Sequence, residues 1–177
     1  MHDMASHAQL DAPKTLVRRA WALLRWIVMA QAAAAALAVL AMIAVTCVNV
    51  LLAKFGRPLK GADDLLYMAG GVAVAFSLPY TTAVKGHVAI EYFFHGLHRH
   101  ARIAVDTLMR TLGIGLMSLL CWRSWLYGMQ LHRVGEVSMS GEIPLFWLPM
   151  VIAAGCATTA AVILYNMLHP GREMIKP

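Results

Sequence analysis

Charge is scarce in this sequence: Asp, Glu, Lys and Arg make up 14% of it, against roughly 25% in soluble domains. With hydrophobic residues at 60%, such a chain cannot cover a water-facing surface with polar groups. Cysteine is sparse as well. Cys47, Cys121 and Cys156 stand singly and far apart with no CxxC pair, so they read as small buried hydrophobes and not as a redox or metal motif. No stretch alternates apolar and polar residues in the manner of a lipid-facing barrel strand. No internal repeat is present either, and the run Ala32 to Ala36 reads as lipid-compatible helix. The 177 residues are too few for two sizeable soluble domains and ample for a small helical bundle in lipid.

What is present is a set of long apolar runs. Leu65 to Val84 is twenty residues without a formal charge, about 30 Å of helix and so the thickness of a bilayer's hydrocarbon. Trp26 to Ala53 and Ile143 to Leu168 are longer and equally uncharged, whereas Ile103 to Leu131 contains Asp106, Arg110 and Arg123. The first run is too long for a signal peptide and leads straight into another span, so it reads as a retained anchor. The expected fold is all-α and integral to the membrane. Four transmembrane helices are expected at about 23–53, 63–85, 103–131 and 143–168, with a short amphipathic cytoplasmic interfacial helix at about 88–101. Residues 21–168 then form the membrane domain between tails at 1–20 and 169–177.

Basic residues orient the bundle. Lys14, Arg18, Arg19, Arg25, Lys85, Arg99, Arg102, Arg172 and Lys176 fall on one side; Lys54, Arg57, Lys60, Arg123 and Arg133 fall on the other. Nine against five places both termini in the cytoplasm. The net charge of +6 follows from this bias and implies no nucleic-acid partner. Trp21 and Trp26, then Trp122, Trp125 and Tyr127, and finally Trp147 and Tyr165 sit where interfacial aromatics belong.

The first, second and fourth spans hold no charged residue and no central histidine. A cation-driven carrier acting alone needs a coupling group at mid-depth, and a haem-bearing anchor needs axial histidines. His87, His132 and His169 lie near span ends, and His98 and His100 face different ways on a helix, so no cofactor or metal site is expected. The third span is different. Only twelve uncharged residues separate Arg110 from Arg123, about 18 Å of helix. Either both arginines snorkel to opposite interfaces, or Arg123 lies inside the membrane against a partner carboxylate or backbone carbonyls. Asp106 and Arg110 are spaced to pair on one helical face.

Backbone breakers mark further points. Pro79 leaves the Ala75 carbonyl without its helical donor and should kink the second helix, with Thr81 or Thr82 serving nearby carbonyls. Gly70-Gly71 would admit a neighbouring helix. Ile90, Phe93, Phe94, Leu97 and Ala101 form the apolar face of the interfacial helix, which rests on lipid or props a partner. Outside, the polar loop Arg133 to Glu142 offers a docking surface; Pro144 suits a helix start, and Pro149 should kink the first turns of the fourth helix.

Asp63-Asp64-Leu65-Leu66-Tyr67 opens the second helix, and Lys85-Gly86-His87-Val88-Ala89-Ile90-Glu91 closes it. A polar loop with Ser138 then precedes Ile143-Pro144-Leu145-Phe146-Trp147-Leu148-Pro149. In this order and four-helix frame, Trp21 to Leu168 resembles the small membrane subunit (the DctQ-type permease component) of tripartite ATP-independent periplasmic (TRAP) transporters. Phe76, Ser77 and Pro79 depart from the tryptophan and glycine often seen there. The resemblance implies a machine in the bacterial inner membrane whose periplasmic binding protein captures an organic acid. A large multi-helix permease subunit carries the acid inward on a sodium gradient. The small subunit would be a non-enzymatic scaffold, stably paired with the permease, transiently met by the binding protein and surrounded by lipid. Its candidate partner contacts are Asp64, Lys85, His87, Glu91, Arg110, Arg123, Ser138 and Trp147. A membrane anchor of a respiratory complex and an independent small carrier are the alternative readings.

Overall fold

In lipid, every backbone N–H and C=O must find a partner within the protein, and an apolar run with few breakers meets that demand as a helix. The computed structural model describes residues 3–57, 59–84, 99–138 and 143–168, with the backbone alone for 3–18, 99–104 and 106. Four helices are present there: α1 (Asp3–Lys54), α2 (Ala62–Ala83), α3 (Arg99–Val134) and α4 (Trp147–Leu168). Among the described residues the only extended pairing is a single bridge between Val137 and Pro144. Arg19–Lys54 of α1, α2 and α4 are long and apolar enough to cross a membrane. Among the described residues α3 is not one of these, and it is the least apolar of the four. The interfacial helix expected at about 88–101 falls mostly on 85–98, outside the described residues.

Glycines end two of the helices, α1 and α3. Gly56 takes φ 72°, and its N–H and that of Arg57 bond back to Ala53 and Leu52, satisfying two terminal carbonyls of α1. The Asn49 side chain accepts the Leu59 N–H at 3.0 Å, fastening the turn into α2. Gly135, at φ 68°, closes α3 in the same left-handed geometry.

The helices run alternately up and down, in the spatial order α1, α2, α4, α3. Of the four, α4 is central: it packs on α2 and α3 and also touches α1, whereas α3 packs on α4 with no comparable cover from α1 or α2. Along α1 the covered positions alternate in steps of three and four through Val28, Gln31, Ala35, Ala38, Met42, Val45 and Asn49. That is the period of about 3.5 residues at which paired helices interlock. Cys47 lies off this seam and is exposed, so it is not the buried hydrophobe expected of it; Cys156 is buried and Cys121 partly so. At one end Val28, Ala83 and Val162 bring α1, α2 and α4 together, flanked by Leu24, Tyr80 and Tyr165. Trp21 meets Tyr165 edge-on there, at 4.9 Å between ring centres.

Small residues decide how near the helices come. Gly70 faces Met42 on α1, and Gly71 faces Leu148 on α4. Gly155 of α4 lies against the Ala75 carbonyl of α2, so close that a methyl group there would overlap the oxygen and sit 3.0 Å from the carbonyl carbon. This is the carbonyl whose helical donor Pro79 removes. The Thr81 and Thr82 hydroxyls bond instead to Ser77 and Leu78, at 2.9 and 2.8 Å. Ala75 is thus covered by a Cα–H of the neighbouring helix, a weak but recurrent contact at helix crossings. Pro149 stands in the first turn of α4, where no carbonyl awaits its missing N–H, so the kink expected there has no cause.

Gly155→Ala should therefore overpack the α2–α4 crossing and destabilise the bundle by about 1–3 kcal/mol. Thermal unfolding in detergent measures this, with Gly115→Ala, which meets nothing within 4 Å, as the unaffected control.

Candidate functional site

The last carbonyls of a helix have no donor of their own, and its C-terminal end favours positive charge. Neither α2 nor α4 carries a basic residue in its last turn. Neighbouring helices supply the donors instead. The Arg110 guanidinium of α3 donates to the backbone carbonyl of Asn166 near the end of α4. The Asn166 side chain in turn donates to the Thr82 carbonyl at the end of α2, at 3.2 Å. Asn166 is buried, and among the described residues its side-chain oxygen accepts no hydrogen bond. Three helices are joined by this one knot.

A second tie lies nearer the middle. Thr158 of α4 donates to the Gln31 side chain of α1 at 2.9 Å, and Gln31 is buried. The same hydroxyl reaches the Ala154 and Gly155 carbonyls, but only the bond to Gln31 crosses between helices. Neither Gln31 nor Asn166 stands out by composition. Asn166 is the lone amide in its apolar run and Gln31 one of two, with Asn49, in another, and that scarcity was the available signal.

Among the described residues, the expected site residues do not gather into one cluster. Asp64 is half-buried in the first turn of α2, where negative charge suits the helix N-terminus. Ser138 is buried in the turn ahead of α4, its N–H bonded to the Ile143 carbonyl at 2.9 Å, while Leu145 donates to the Glu136 carbonyl at 3.2 Å. Trp147 is the first residue of α4 and half-buried. Arg110 lies at the opposite end of α4, in the knot with Asn166; the side chain of Asp106, its expected partner on the same helical face, lies outside the described residues. Arg123 is exposed on α3. Lys85, His87 and Glu91 lie outside the described residues.

A groove of about 500 Å³ opens sideways between α1 and α2, lined by alanines and valines, with Ser77, Tyr80 and Thr81 towards one end. It contains no charged side chain. Its character is that of the lipid-facing surface around it.

If the amide–hydroxyl tie holds α1 to α4, Gln31→Leu and Thr158→Val should be non-additive. A double-mutant cycle of unfolding in detergent should give a coupling of about 0.6 kcal/mol and no more than about 1.7, the range of such bonds in membrane bundles.

The family model described as "Tripartite ATP-independent periplasmic transporters, DctQ component" matches residues 42–172. The match begins within α1 and takes in the whole of α2, α3 and α4. No curated protein and no solved structure matches the chain. The glycine contacts and polar ties described above lie mostly inside the matched region, which covers well over half of the sequence. The chain belongs to the DctQ-component family of tripartite ATP-independent periplasmic transporters, a family of membrane transporter components and not of enzymes.

Proposed function

We propose that this chain is the stationary small subunit of a sodium-driven, binding-protein-dependent importer of an organic acid, paired in the bacterial inner membrane with a larger permease subunit. The observation that carries the reading is what the polar side chains within the bundle do. Arg110, Asn166, Gln31 and Thr158 tie helix to helix, and Ser77, Thr81 and Thr82 bond to carbonyls of their own helix. A carrier needs polar groups around a central cavity and, for coupling, an ionisable group or a set of carbonyls at mid-depth. The α1–α2 groove offers no such charge. Substrate and sodium sites accordingly belong to the larger subunit, and this chain provides a fixed wall.

In this reading α3 is a fourth crossing. It follows α4 from Arg110 beside Asn166 to Gly128 beside Met150 and Phe146, and so traverses the same thickness of membrane. Both termini lie in the cytoplasm. The turn through Ser138, the start of α4 at Trp147 and the start of α2 at Asp64 then face the periplasm, where a binding protein docks transiently. Lys85, His87 and Glu91 belong to the cytoplasmic side.

Reconstitution separates this reading from that of an independent carrier. The purified chain alone in proteoliposomes should take up no organic acid under a sodium gradient. Uptake should require the larger subunit and the binding protein together. Sodium-driven accumulation by this chain alone would overturn the proposal.

A further inference from the structure

We infer that the outward face of α3 docks the larger membrane subunit and that Arg123, in the middle of that face, pairs there with a carboxylate inside the membrane. The inference rests on the pairing proposed above and adds to it the face and the contact. Leu112, Leu116, Leu119, Arg123, Leu126 and Gln130 alternate in steps of four and three along α3, and all six are exposed. This is the spacing with which one helix interlocks with another. A single polar residue in such a stripe sets register and partner.

Three observations separate this face from one meant for lipid. First, α3 is the least apolar of the helices, yet among the described residues α4 is the one helix packed extensively on it. The outward face of α1, with Leu37, Leu40, Ile43 and Leu51, is wholly apolar by contrast. Second, Arg123 lies deep. Arg110 beside Asn166, Gly113 beside Ile163 and Gly128 beside Met150 fix the antiparallel register and set Arg123 level with about Ala153. That is ~9 Å of helix rise inside the Trp147 end of α4. Helical side chains tilt towards their own N-terminus. For α3 that direction leads away from the nearer membrane surface, so snorkelling to it runs against the geometry. Third, among the described residues Arg123 has no hydrogen bond or ion pair. A second copy of this chain on the same stripe would not supply one either, because no acidic residue lies between Arg110 and Arg133. The carboxylate comes from a different chain.

The test uses this chain co-expressed with the larger subunit. A photocrosslinking amino acid replacing Leu119 or Leu126 should capture the larger subunit, and one replacing Leu40 on α1 should not. Arg123→Leu should lower co-purification of the larger subunit at least five-fold, Arg123→Lys should restore part of it, and the melting temperature of the isolated chain should not fall with either. Capture from Leu40 with none from Leu119 or Leu126 would overturn the assigned face, as would crosslinked dimers of this chain. Undiminished co-purification with Arg123→Leu would overturn the ion pair. If the unaltered chain recovers no larger subunit, the pairing itself fails, and the inference with it.

Discussion

Between lipid tails and leucine side chains there is little to choose, so helices in a membrane hold together by close packing and by the polar bonds that closeness allows. Here the approach of Gly155 to the Ala75 carbonyl is what the remaining contacts depend on. Pro79 strips that carbonyl of its helical donor, and a residue without a side chain lets α4 cover it. With α2 and α4 parallel and that near, Leu148 falls on Gly71 at one end and Asn166 reaches Thr82 at the other. The faces of α4 left over meet α1 through Thr158 and α3 through Ile163 and Met150. One helix thus sets the register of the other three.

Helix ends in this bundle are completed from outside. The carbonyls that close α2 and α4 receive donors from the next helix along, Asn166 for α2 and Arg110 for α4. A cation at the end of α4 also suits the direction of its dipole. The ties are few, but in a medium without water each unmade bond leaves a polar group with nothing to replace the missing partner. Such a design favours a rigid wall over a moving part.

Some of this was legible in the residues. The uncharged runs announced α2 and α4, Pro79 pointed to the freed carbonyl, and Gly70-Gly71 marked an interface. Other features were hidden for physical reasons. Apart from Gln31 and Asn49, the membrane stretch of α1 is largely apolar on every side, so the stripe through Val28, Ala35 and Met42 is hard to tell from the lipid face until its partners are in place. Cys47 was misread on that account. The role of Gly155 depends on a carbonyl eighty positions earlier in the chain, which no local pattern reveals. The kink expected at Pro149 assumed a helix already under way, whereas α4 starts only at Trp147 and leaves that proline no bond to break. Gln31 and Asn166 were visible as isolated amides, but their service as ties shows only once another helix is beside them. Membership of the transporter family, by contrast, was legible in the order of the motifs along the chain.

The central place of α4 has a consequence for how the protein is made. Ribosomes deliver α1 and α2 first, and these already share the Asn49–Leu59 clamp and the Met42–Gly70 contact, so a hairpin can close while synthesis continues. Next comes α3, for which, among the described residues, that hairpin offers no extensive packing. As the fourth crossing proposed above, it would enter the bilayer as a solitary, charge-bearing helix and stay one until α4 emerges behind it. During that interval it is the natural client for an insertase or for quality-control proteases, and a nascent chain stalled before Trp147 would be recognisable as faulty by α3 alone.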